Sequence, residues 1–239
     1  MDPRPRPRPP ASASRALTRA ALALALLCAP FGDAAAGQQA GAAPDRALLL
    51  APDDAAFDGA APDTFRVRFE TSKGAFVVEV VRDWAPRGSD RFYHLVQSGF
   101  YDDVRFYRAV EGYMVQFGLS GDPAVTAVWQ DHAIPDDPVR FGNERGRLVF
   151  ASAGPDTRTT VLFVNLQDNP NLDGLGFAPF GRVVQGMEVV DRLYTGYGET
   201  PPFGSGPRQD RIMTEGNAYL MRLFPALDHV VRASVVQGR

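Results

Sequence analysis

The stretch TFRVRFETSKGAFVVEVV, residues 64–81, sets the character of the fold. Phe65, Val67 and Phe69 alternate with Arg66, Arg68 and Glu70, a period of two that marks a strand with one buried face. Thr71-Ser-Lys-Gly74 reads as a turn, and Ala75 to Val81 as the returning strand of a hairpin.

Beyond the hairpin, Asp83-Trp-Ala-Pro86 opens a helix, with Pro86 suited to its first turn. Phe92, Leu95 and Val96 share one face of it, and Gly99 ends it. Short strands are expected at 104–108, 113–117, 146–152, 160–165 and 180–184, separated by turn-rich pieces. Met187 to Leu193 reads as a short second helix, Tyr194 to Gln209 as a Gly/Pro loop, Asn217 to Phe224 as a helical turn or two, and Val230 to Val236 as a closing strand. Many short strands without alternating βαβ units favour a barrel or sandwich over a doubly wound sheet.

Toward the N-terminus the pattern changes. Arg4, Arg6, Arg8, Arg15 and Arg19 precede the apolar run Ala20–Phe31, and Ala34 and Ala36 supply small residues two apart. This is the layout of a signal peptide cleaved after Ala36, with an apolar run too short to span a bilayer comfortably. Residues 37–63, rich in Ala, Gly, Pro and Asp, read as a flexible spacer. Cys28, the only cysteine, follows Leu27 rather than a small residue, so lipid anchoring there is the minor alternative. The cysteine count excludes an intrachain disulfide framework and a cysteine-based zinc cluster. The 239-residue chain carries a formal charge of -3, which does not suggest a strongly basic, nucleic-acid-binding character. Cleavage after Ala36 removes five arginines, Asp2 and Asp33, leaving 20 basic and 26 acidic residues, or -6.

Hydrolytic machinery is not legible. His94, His132 and His229 lie far apart, and neither a G-x-S-x-G elbow nor an H-E-x-x-H pair is present. Asn169-Pro-Asn-Leu-Asp-Gly174 resembles half a calcium loop, but Phe180 stands where the bidentate glutamate belongs. Asp131, Asp136 and Asp137 read as a solvated acidic face. What remains is FYRAVEGYMVQFG, residues 106–118. If 113–117 is a strand, Tyr113, Val115 and Phe117 share one face and Met114 and Gln116 the other, with Arg108 returning beside them across a Gly112 turn. An arginine and a glutamine among apolar groups suit a small binding concavity. On patterning alone, Arg108 reads first as a surface side chain beside core residues and only second as a binding group.

FYRAVEGYMVQFG strongly resembles the active-site strand pair of the cyclophilins, a class of peptidyl-prolyl cis-trans isomerases. TSKGAFVVEV, GRLVFASAGPDTRTTVLFVN (146–165) and NPNLDGLGFAPFGRVVQGMEVVDRL (169–193) agree in order and spacing. The tail containing EGNAYLMRLFPALDHV resembles an extension of some bacterial members, so the chain is read as a bacterial, exported form. The resemblance covers about Thr64 to Val236. It implies a mainly β fold, a closed eight-stranded antiparallel barrel capped by two helices, forming an isomerase domain over 64–239 with a C-terminal extension.

The resemblance also assigns roles. Arg108 falls on the arginine beside the imide and Gln116 on its neighbouring glutamine. Tyr113, Met114, Phe163 and Leu172 fall on the proline pocket, and Ala151 on the residue whose backbone meets the substrate. Val161, Asn171 and Gly176 depart from the eukaryotic pattern, where glutamine, tryptophan and histidine stand. They argue against tight cyclosporin binding and motivate an alternative, a weakly active or inactive proline-peptide-binding module. The main expectation is a cofactor-free, monomeric enzyme. It would act on X-Pro bonds of proline-containing peptides and unfolded exported polypeptides in the periplasm or outside the cell. No nucleic-acid partner and no stable transmembrane segment in the mature chain are expected.

Overall fold

The alternation at 64–81 folds into strands β1 (Thr64–Thr71) and β2 (Gly74–Val81), paired antiparallel from Thr64–Val81 to Thr71–Gly74. The structure, a computed structural model, describes residues 44–236. Residues 1–36, where a signal peptide and Cys28 are expected, lie outside the described residues. Phe65, Val67 and Phe69 point into the core, and Phe69 stacks on Phe76 with ring centroids 4.9 Å apart. On the outer face Glu79 accepts from Arg66 (2.8 Å) and from Arg182 (2.9 Å). Those hydrogen bonds hold its carboxyl below the usual glutamate range. Exposed ion pairs contribute roughly 0–1 kcal/mol, whereas each fully buried Phe or Val contributes about 1.5–3 kcal/mol. The inner face therefore decides the register.

After Arg82–Trp84, a single 3-10 turn, α2 (Pro86–Gln97) begins with its proline in the first turn and buries Phe92, Leu95 and Val96. Its N-cap residue, Ala85, has no side chain to offer the free amides. Asp137 supplies the cap from 50 residues away, accepting from Arg87 N (3.1 Å) and Gly88 N (2.9 Å). Its other partner is the buried Arg158, whose Nη1 donates at 3.1 Å. Asp137 is thus buried and does not belong to the solvated acidic face read from the sequence.

The remaining strands are β3 (Arg108–Val110), β4 (Met114–Phe117), β5 (Arg147–Phe150), β6 (Leu162–Asn165), β7 (Pro179–Gln185) and β8 (Val230–Val236). Helix α3 (Pro123–Gln130) had no counterpart in the sequence reading, although Asp122 caps it and Pro123 opens it. Helix α4 (Met187–Asp191) lies inside its expected range, and α5 (Gln209–Leu223) starts eight residues earlier than expected. A short helix, α1 (Arg46–Leu49), lies within the stretch read as spacer. Trp129 Nε1 of α3 donates to Leu49 O (2.9 Å), and Phe57 meets the Trp129 ring edge-on at 4.8 Å.

The sheet order is β3-β4-β6-β5-β7-β2-β1-β8, antiparallel throughout. The expected closed barrel is corrected here: no ladder joins β3 to β8, and the eight strands form an open sheet capped by helices. Among the described residues the two ends meet at an Arg105–His229 bridge, where Phe106 N donates to Asp228 O (3.0 Å) and Val230 N to Val104 O (2.8 Å). Strand β3 is three residues long, and its outer edge at Ala109 is bridged by Gly198. The backbone groups that would continue a ladder to β8 are thereby engaged by a loop.

No helix among the described residues is long and apolar enough to cross a membrane. Helix α5 is seated by a break at Gly216 (φ 58°, ψ -146°), after which Asn217 N donates to Gly121 O (3.0 Å) and Asn217 Nδ2 to Asp103 Oδ2 (2.8 Å). A Cβ at 216 would run into Gly121 O. Gly216→Ala should therefore lower unfolding free energy by about 1–3 kcal/mol, measured by urea denaturation. Unchanged stability would show that the close approach is not needed.

Candidate functional site

Strand β4 is buried on both faces. Val115 and Phe117 enter the main core, while Met114 joins a separate apolar cluster with Val149, Phe163 and Leu172. Alternation across three neighbouring strands produces that cluster: Gln116 stands opposite Phe163, and Phe163 opposite Val149. Tyr113 precedes the first residue of β4, so it escapes the strand's alternation. It packs on the Met114 side rather than with Val115, as do Ala151 and Phe177.

These residues line a concavity of about 370 Å³. All seven residues singled out from the sequence, Arg108, Tyr113, Met114, Gln116, Ala151, Phe163 and Leu172, meet in it. Phe163, Met114 and Leu172 make an apolar floor, and Phe177 meets Phe163 edge-on at 5.7 Å. Phe177 thus occupies the neighbourhood of Gly176, which has φ 85° and ends the 3-10 turn Pro170–Leu175. Of the other two departures, Val161 lines the concavity, whereas Asn171 is exposed and is not among its lining residues.

The polar side of the concavity is a hydrogen-bonded chain. Arg108 faces Gln116 across the β3–β4 ladder, and its Nη1 donates to Gln116 Oε1 at 2.7 Å. Gln116 Nε2 donates to the Tyr107 hydroxyl at 2.7 Å, which fixes which end of the amide faces the arginine. Burial pushes the Tyr107 hydroxyl well above its usual range, so it stays neutral. The other edge of the guanidinium is taken by Glu199: Nε and Nη2 donate to its two carboxylate oxygens, both at 2.6 Å. Burial opposes ionisation of Glu199. The hydrogen bonds from Arg108 and Thr200 outweigh it and bring the carboxyl below the usual glutamate range.

Behind the floor, buried asparagines tie the flanking loops together. Asn165 Oδ1 accepts from Asn169 Nδ2 (2.7 Å), and Asn169 Nδ2 also reaches Tyr113 O (3.1 Å). Asn143 Nδ2 donates to Asp173 Oδ1 (2.7 Å) and Phe177 O (2.8 Å). The loops carrying Tyr113, Leu172 and Phe177 are thus held from below.

Several lining or supporting residues were not legible in the sequence. Tyr107 and Val149 sit in strand-like runs where nothing separates a core residue from a supporting one. Gln209 and Met213 reach the concavity from α5. Glu199 stands alone as the carboxylate of the Tyr194–Gln209 loop, a faint signal among glycines and prolines. The three histidines are elsewhere: His94 contacts Gly59 O, His132 contacts Val128 O, and His229 immediately precedes β8 and bridges Arg105.

The chain that builds this hollow has relatives among known proteins. Residues 66–214 match the family described as cyclophilin type peptidyl-prolyl cis-trans isomerase/CLD. Peptidyl-prolyl cis-trans isomerase CYP18-1 of Arabidopsis thaliana is 33% identical over 146 residues, which is 56% of this chain and 88% of that protein. CYP18-2 of the same plant is 36% identical over 145 residues, 57% of this chain and 82% of the relative. Among solved structures, a cyclophilin type peptidyl-prolyl cis-trans isomerase of Cryptosporidium parvum aligns with a TM-score of 0.53 at 19% identity, covering 74% of this chain and 99% of that one. That last likeness is one of fold. With the family match spanning most of the folded part, this chain belongs to the cyclophilins and is a peptidyl-prolyl cis-trans isomerase, an enzyme acting on proline-containing peptide bonds.

Proposed function

We propose that the reaction is carried by Arg108 and Gln116 on one side of the concavity and by the Met114–Phe163–Leu172 floor on the other. The observation behind this reading is the guanidinium of Arg108, hydrogen-bonded to Gln116 beside an apolar hollow. Rotation of an X-Pro bond meets a barrier of about 18–20 kcal/mol because the C–N bond has partial double-bond character. No bond to be cleaved, no nucleophile and no acid–base pair is involved. In the twisted state the imide nitrogen regains its lone pair, so a donor aimed at it favours that state over the planar one.

A guanidinium has five N–H groups. Glu199 and Gln116 engage three of them, which leaves one on each terminal nitrogen for the substrate. Tyr113, Met114, Phe163 and Leu172 would hold the pyrrolidine ring by apolar contact, while Gln116 and the backbone at Ala151 would steady the flanking peptide. The site's position in a partly desolvated hollow strengthens the polar contacts among these.

The enzyme is further proposed to be a monomeric, bacterial folding catalyst for exported polypeptides, periplasmic or secreted. A leader over 1–36 and a connecting stretch over 37–63 would precede the isomerase domain of 64–239. The support is the arginine-rich start, the apolar run Ala20–Phe31 and the Ala34/Ala36 pair.

Three outcomes follow. In a protease-uncoupled assay on a proline tetrapeptide, Arg108→Ala should lower kcat/KM by about 100-fold, near 2.7 kcal/mol, while the thermal midpoint moves little. An undiminished rate would remove Arg108 from the mechanism. Ala151→Leu extends a side chain into the hollow and should raise KM about tenfold, read from the same assay with circular dichroism to verify the fold. Mass spectrometry of the protein purified from its host should find an N-terminus at Gly37; a chain starting at Met1, or an acylated Cys28, would overturn the proposed leader.

A further inference from the structure

Arginine has much rotamer freedom to lose, and a guanidinium that must meet one atom of a twisting imide works best if that freedom is already gone. In this chain the means of removing it comes from outside the strand pair. The Gly/Pro loop after α4 brings Glu199 against Arg108 so that two parallel N–H···O bonds form, each 2.6 Å long. Both side chains are about a quarter exposed, at 24% each, so the pair is partly withdrawn from water.

Glu199 is itself fixed. Thr200 donates to its Oε1 through the backbone N (2.7 Å) and the hydroxyl (3.1 Å). Its predecessor Gly198 bridges Ala109, the residue after Arg108 on β3, and Gly206 N closes the loop by donating to Glu199 O at 2.9 Å. The carboxylate is therefore a built partner, held by backbone on both sides of it. A flexible surface acid would have neither the loop closure nor the bidentate geometry.

We propose that Glu199 is a positioning residue for the isomerisation, holding the Arg108 guanidinium in the orientation that meets the imide of the bound proline. The inference rests on the role given to Arg108. Glu199 does not touch the substrate in this scheme and acts only through the arginine. Its removal should therefore reduce turnover, which depends on orientation in the twisted state, and leave ground-state binding by the apolar floor largely intact.

The test uses the full chain and the proline tetrapeptide assay on four variants: Glu199→Ala, Glu199→Gln, Arg108→Ala, and Arg108→Ala with Glu199→Ala. Glu199→Ala should lower kcat about tenfold with KM changed less than about twofold. Glu199→Gln keeps one acceptor and should fall between Glu199→Ala and the parent. On the Arg108→Ala background, losing Glu199 should cost nothing further. An unchanged or increased kcat in Glu199→Ala, with Arg108→Ala impaired, would overturn the positioning role alone. A further loss in the double variant would also overturn it, since the carboxylate would then act by another route. If Glu199→Ala fails to fold, Glu199→Gln decides: a kcat equal to the parent's overturns the role, and a reduced kcat at unchanged KM supports it. Unimpaired Arg108→Ala would overturn the Arg108 reading, and this inference with it.

Discussion

Strand β4 places Val115 and Phe117 in the main core and turns Met114 and Gln116 to the other side, so a single backbone supports both the core and the pocket. Because side chains alternate with a period of two, sliding β4 by one residue would send Gln116 toward Leu148 and Phe150 and bring Phe117 to the hollow. The neighbouring strands enforce the same parity. Leu162 and Val164 of β6, and Leu148 and Phe150 of β5, are core residues, whereas Phe163 and Val149 are floor. The large inner faces hold the register, and the small outer cluster inherits its geometry from them. Isomerisation suits such a site, since it asks for orientation and desolvation and for no displaced bond.

The loop after α4 has two consequences. By bridging Ala109 at the free edge of β3, Gly198 engages backbone that a closed barrel would have offered to β8. The next residue along, Glu199, takes the outward edge of the Arg108 guanidinium. The openness of the sheet and the pairing of the arginine are thus linked through adjacent residues of one loop. On the other flank α5, anchored by Asn217 at Gly121, brings Gln209 and Met213 to the same hollow.

Legibility in the sequence followed the range of the interaction. The β1–β2 hairpin and α2 are encoded by local periodicity, turn residues and Pro86, and they lie where expected. Helix α3 is barely legible despite Asp122-Pro123, because eight residues give a weak periodic signal. Asp137 looked like surface, since nothing near it in sequence shows that the first turn of α2 lacks a cap of its own. Strand alternation extended to Tyr113 would put it beside Val115, but β4 starts at Met114 and Tyr113 packs on the Met114 side. The closed barrel is what the family resemblance implies, whereas in this chain a loop bridges the outer edge of β3 at Ala109.

By itself the sequence determined the mainly β character, the hairpin, the first long helix and, through the ordered motifs around Arg108, seven of the residues that meet in the hollow. Those depend on patterns within some twenty residues or on matched motifs, and both survive without coordinates. Only the tertiary structure decided that the sheet stays open, that Asp137 caps α2, and that Glu199 reaches an arginine 91 positions away. The physical reason is the same in each case. A donor or edge left unpaired by its own neighbours is satisfied by whatever group the fold carries to it, and no local pattern records which group that is.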